Sequence, residues 1–176
     1  MSRLDTIWSW YIAGIDSLRL VQRMQRNRES FPRLTERGFE SIYERSPIEV
    51  EQALDEAQVW VENLVVLHLV AVFERILRRQ ISAEIDAARR LDRPVQNIVL
   101  KVCRGESEYW RLGGEVLDVF PSVDANLRGQ VKQIVQFRDW IAHGRHVDED
   151  PPIAVTPHFA KETLAKFLHQ ANLAHQ

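Results

Sequence analysis

Cysteine is almost absent: Cys103 stands alone in 176 residues. That excludes an internal disulfide and any multi-cysteine zinc site, and it fits a reducing compartment. Lysine is scarce as well, four residues beside nineteen arginines. Arginine's forked guanidinium suits bidentate contact with phosphate, although a genome's codon bias accounts for the same skew more simply. Neither sign of charge dominates: 23 basic and 25 acidic residues leave a net charge of -2, and the pI is near 6.3. No global positive field therefore drives nucleic-acid binding, and a local basic cleft is the remaining route to it. The longest nearly uncharged stretch, residues 63–73, falls well short of the ~20 residues that a membrane span needs. The amphipathic N-terminus, with Arg3 and Asp5 among apolar residues, lacks the layout of a signal peptide. A soluble, cytoplasmic chain with no membrane partner is expected. Internal repeats, low-complexity segments and strand-like alternation are missing too. At 20.5 kDa, with 45% hydrophobic residues, residues 1–176 are expected to form one domain around its own core.

What is present is helical periodicity. Leu4, Ile7, Trp8, Tyr11, Ile15 and Leu18 recur at steps of three and four, so a first helix should start at Ser2 and reach about residue 28. Arg19, Arg23 and Arg26 form a basic edge beside that stripe, read best as a solvated flank. A short helix is expected near residues 39–44. Ser46-Pro47-Ile48-Glu49 is the strongest helix start in the chain. It places serine at the N-cap, proline at the first helical position and glutamate at the third, a capping box. No proline or glycine follows until about residue 91. The run from Leu64 to Phe73 is apolar on all sides and is expected to be covered on all sides, with His68 a buried, hydrogen-bonded histidine. Beyond it the helix turns polar, through Glu74, Arg75, Arg78 and Arg79. Pro94 can open a further helix through Cys103, whose thiol is expected to be buried rather than nucleophilic. Glycines 105, 113 and 114 bound a connecting region that holds Trp110. Ser122 or Asp124 should cap the next helix, with Leu127, Val131, Ile134, Val135, Phe137 and Ile141 inward. Thr156-Pro157 starts the last one, seated by Phe159, Leu164, Phe167, Leu168 and Leu173. The fold class read from this pattern is all-α.

The chemistry gathers at residues 133–146, Gln-Ile-Val-Gln-Phe-Arg-Asp-Trp-Ile-Ala-His-Gly-Arg-His. Gly144 is placed to end the helix in the left-handed conformation that only glycine adopts cheaply. Asp139 and His143 are four apart, so the carboxylate can hydrogen-bond the imidazole, fix its tautomer and raise its pKa. Arg138 and His143 are five apart, roughly 140° of rotation and about 7.5 Å of rise. Within one chain they diverge. Two chains meeting about a two-fold axis can set the arginine of one beside the histidine of the other, so the spacing points to a dimeric site.

The run from Arg138 to His143, with Gly144 and Arg145 after it, resembles the motif of HEPN domains. There an arginine is followed by a polar residue and, four to six positions later, by a histidine. The resemblance implies an antiparallel helical bundle. Many members are metal-independent endoribonucleases with a site built across a homodimer, some are toxins held by an antitoxin, and others are not catalytic. If the motif is active, His143 serves as base or acid, Arg138 holds the phosphorane oxygens and Asp139 orients His143. Arg145 and His146 would contact the RNA phosphate or help with the second proton transfer. No metal and no cofactor is implied. His143 and His146 straddle a helix end without a third ligand, which argues against zinc. The acids at 148–150 lie close in sequence and would repel a phosphate unless turned away. Two readings follow: a ribonuclease, as a toxin or defence effector with an antitoxin or other regulatory partner, and a non-catalytic helical interaction module.

Overall fold

A computed structural model describes residues 2–27, 45–89, 111–144 and 153–174. Among these residues all regular structure is helical: α1 (Arg3–Arg26), α2 (Pro47–Arg89), a π-turn (Leu112–Val116), α3 (Ala125–Ala142) and α4 (Pro157–Gln170). The expected short helix at 39–44, the helix through Cys103, Trp110, Arg145, His146 and the acidic loop at 148–150 lie outside the described residues.

Each described helix begins where a side chain can satisfy its free N–H groups. Ser2 accepts from the backbone of Asp5, whose carboxylate answers the Ser2 N–H at 3.0 Å. The Ser2 hydroxyl, donating to the same carboxylate at 2.8 Å, and then the Ser2 N–H hold the Asp5 carboxyl below its ordinary range. A carboxyl lowered in the folded state contributes stability at neutral pH and loses it as pH falls through the acid range. Ser46 and Glu49 make the same reciprocal pair at the start of α2, 2.8 Å from the Ser46 N–H to the carboxylate and 3.3 Å back. Asp124 caps α3, and Thr156 caps α4 with Pro157 behind it. Ser46→Ala removes one half of its box, and the expected result is a loss of about 1 kcal/mol in a denaturant titration.

Contacts along the helices fix their directions. Gln22 reaches Asp55 and Arg26 reaches Glu51, so α1 and α2 run antiparallel. Asp5 pairs with Lys161 while Trp8 lies against His158, so α1 and α4 are antiparallel too. The N–H of Asp124 at the start of α3 meets the side chain of Gln170 at the end of α4. Successive helices therefore alternate in direction, and the molecule is an antiparallel helical bundle.

The core runs through the second half of α2. Val65, Val66, Leu69, Val70, Phe73 and Leu77 have no exposed surface. Phe167 of α4 meets Phe73 edge-on at 5.2 Å and Phe120 at 5.8 Å. All six apolar positions read for α3 are buried. Residues 112–120, read as part of a connection, prove part of this core: Leu112, Val116, Leu117 and Phe120 are buried, and a Cβ at Gly113 would make ordinary contact with Val135 of α3. Two adjoining glycines read as a break in a periodic pattern, and Gly114 does kink the backbone here, with φ -119° and ψ -109°, yet the residues on either side stay packed in the core.

The expectation that α2 is covered on every side between Leu64 and Phe73 is not met. Leu64 is 51% exposed, and His68 and Ala71 are exposed as well. An apolar run shows no face of its own, so the sequence cannot tell a sheathed helix from one with a bare stripe. Phe159, expected to seat α4, lies on its outer side at 36% exposure. From residue 47 to 64 only Val50 and Leu54 are buried, whereas nine residues are buried between 65 and 85. Val50, Leu54 and Ile15 of α1 stand apart from the main core cluster. The early half of α2 and the facing half of α1 thus form a two-helix extension of the bundle, carrying the exposed Leu20, Val59 and Trp60.

Candidate functional site

The motif occupies the last turn of α3 and its cap. Val131, Ile134, Val135, Phe137 and Ile141 turn into the core, which leaves Asp139 and His143 exposed on the outer side of the helix and sets Arg138, partly buried, at the seam with α2. His143 is the C-cap, and its N–H bonds the carbonyl of Asp139. Gly144 follows at φ +68°, in the left-handed conformation expected of it. No neighbour lies near enough to obstruct a Cβ at Gly144, so backbone conformation alone calls for glycine there.

Arg138 does not stand free. Its Nη2 lies 3.8 Å from Glu74 Oε2 on α2, and its Nε lies 3.0 Å from Asp139 Oδ1. The side chain keeps 25% of its surface. Although the Asp139 pair is close, Nε is buried without a well-aligned hydrogen bond; charge rather than bond geometry holds it. Glu74 also takes Arg78, four residues on, at 2.7 Å. Two guanidiniums and two carboxylates thus form one cluster, balanced in charge, where α2 and α3 touch.

This arrangement corrects the expected role of Asp139. Its carboxylate turns to Arg138, its chain neighbour, and among the described residues no side chain hydrogen-bonds the imidazole of His143, which is exposed. The guanidinium brings a full charge and a planar fork of donors to the carboxylate from the adjoining residue. The structure therefore brings Arg138 and Asp139 together and leaves His143 apart, facing solvent at the helix end. Arg145 and His146 lie outside the described residues. His68, expected buried, is exposed on the bare stripe of α2.

The sequence reading missed Glu74. It stands in a run of charges at the core's edge, and the one available signal was its spacing of four from Arg78, a common helix-surface pair. Its link to Arg138 crosses 64 positions of chain, and nothing local announces it. Among the described residues no three His, Cys, Asp or Glu side chains converge as metal ligands would, and no helix is long and apolar enough to cross a membrane. A scan against protein-family models matches none, and no curated protein and no solved structure matches the chain either.

Proposed function

We propose that this chain is a HEPN-type, metal-independent endoribonuclease whose site is completed by a second copy. The observation that carries the reading is the state of the α3 terminus. A solvent-facing imidazole at a glycine-capped helix end shares its last turn with an arginine held ready between two carboxylates. Among the described residues no acid ties His143 down, so its imidazole is open to a substrate proton. Arg138 is kept by Glu74 and Asp139 in one place, and a phosphate offering two oxygens competes for its fork of donors.

In that reaction a base removes the proton of the ribose 2′-OH, and O2′ attacks the adjacent phosphorus. The bond from phosphorus to O5′ then breaks as an acid protonates the leaving oxygen. The products carry a 2′,3′-cyclic phosphate and a 5′-OH. Imidazoles serve as base and acid, and general catalysis of this type supplies roughly 10²–10⁴-fold. Arg138 stabilises the extra charge of the phosphorane. Because Arg138 and His143 leave α3 in different directions, both groups reach one linkage when the imidazole comes from the partner copy.

The test is an incubation of the whole chain with mixed RNA in excess chelator. Fragments ending in a cyclic phosphate and a 5′-OH are expected, with DNA left intact for want of the 2′-OH. RNA that stays whole, or that is cut only after a divalent ion is restored, rejects the proposal. A second reading, a non-catalytic interaction module with an antitoxin or other protein as partner, rests on the exposed Leu20, Val59, Trp60 and Leu64 of the two-helix extension. Exposed apolar faces of this kind commonly mark partner surfaces. An inert chain that forms a stoichiometric complex with one protein would favour it.

A further inference from the structure

Along α2, directly beyond the arginine cluster, runs an open groove of about 630 Å³ lined by residues of that helix alone among those described. Ala71, Glu74 and Arg75 line one end, Arg78 and Arg79 the middle, and Asp86 the other end. We infer that this groove is the track on which a single-stranded RNA backbone lies as it enters the motif site. The inference rests on the ribonuclease reading and names a binding surface that the Arg138–His143 motif does not contain.

Charge is the first argument. Glu74 is occupied by Arg78 and Arg138, so its carboxylate presents little field to the groove. Arg75 and Arg79 are exposed, and neither is held by an ion pair among the described residues. In a chain of net charge -2 two uncompensated guanidiniums on one helix face are a local exception. Asp86 sets a negative limit at the end away from Arg138. Among the described lining residues this leaves the positive stretch at the motif end.

Spacing is the second. Arg75 and Arg79 are four apart, about 6 Å along the helix axis, which matches the interval between successive phosphates of an extended strand. Ala71, Ser82 and Ala83 between and beside them are small, leaving room for the backbone to lie against the helix. Direction is the third. Glu74 both lines the groove and touches Arg138, so a strand held on Arg79 and Arg75 is led towards the guanidinium assigned to the scissile phosphate. Arginine suits each step, being permanently charged and able to grip two phosphate oxygens at once.

The experiment measures binding of a fluorescent single-stranded oligouridylate by anisotropy, in a His143→Ala parent that leaves the probe uncut. It compares this parent with the same chain carrying Arg75→Ala and Arg79→Ala. Affinity is expected to fall roughly tenfold. The slope of log K against log salt should shrink by about 1.4, for two contacts at about 0.7 each on a single strand. Arg75→Lys with Arg79→Lys should restore most of that slope. Unchanged affinity and slope in the alanine pair overturn the groove, as does a parent that fails to bind the probe. So does a pair whose only defect is lost association with a protein partner. The two proposals separate cleanly. Cleavage by the unaltered chain with no dependence on Arg75 and Arg79 sinks the groove alone, and groove-dependent binding without any cleavage sinks the ribonuclease alone.

Discussion

His143→Ala should lower the rate of RNA cleavage by roughly 10²–10⁴-fold, the range supplied by a single general acid or base. The side chain is exposed and no described side chain bonds it, so the fold should be unaffected, with stability within about 0.5 kcal/mol of the parent. Arg138→Ala should cost roughly 10²–10³-fold, as the loss of one donor to a developing oxyanion does. It also strips a cation from Asp139 and Glu74, though Glu74 keeps Arg78 at 2.7 Å. Arg138→Lys then separates charge from shape: it keeps the cation and loses the fork. The decisive version mixes the two inactive alanine variants. If each site takes its arginine from one copy and its histidine from the other, equal mixing restores about a quarter of the activity, because half the dimers are mixed and each holds one intact site. A mixture as inactive as its components would place both groups in one chain. Cleavage undiminished in either variant would remove the motif from the chemistry altogether.

The second large effect is structural. Phe73→Ala should destabilise the fold by about 3–5 kcal/mol. Phe73 has no exposed surface, and its ring meets Phe167 at 84° and 5.2 Å, an edge-to-face geometry that contributes beyond buried area. Phe167 in turn meets Phe120, so the deletion opens a gap where α2, α4 and the segment after the π-turn converge. Against a total stability of about 5–15 kcal/mol for a domain, that is a large fraction. The midpoint of thermal unfolding should fall by on the order of 10 °C. Phe73→Leu should cost markedly less. A loss under about 1 kcal/mol for the alanine variant would mean that the rings do not form the wedge described. Glu74 is the next residue, so the same gap should loosen the hold on Arg138.

Helix starts were legible because they are local. Ser2, Ser46, Asp124 and Thr156 each bond a backbone N–H two or three residues away, and the sequence carries both partners side by side. The inward face of α3 was legible for a similar reason, since a stripe of branched and aromatic residues at helical spacing admits one inner side. Three features escaped. The bare stripe of α2 was hidden by an apolar run with no polar side to give it away. The packing of residues 112–120 was hidden by two glycines that read as an interruption. The surroundings of Arg138 escaped because Asp139 has two suitors within reach, and because Glu74, the other carboxylate on Arg138, comes from α2, 64 positions away. The fold could be read from neighbours in the chain; the surroundings of the motif depended on neighbours in space.

At about 1.5 Å per residue, the 43 residues of α2 extend about 65 Å, while the main core begins only at Val65 on that helix. One rod therefore carries two regimes of cohesion. Its later half is bound into the four-helix body, and its earlier half is joined to α1 by the buried Val50, Leu54 and Ile15 and by the exposed polar links Gln22–Asp55 and Arg26–Glu51. Local opening costs least where few apolar groups are shared. Backbone amides should therefore become accessible from the outer tip of the hairpin inward, while the turn that bears Glu74 stays shut until the whole domain gives way.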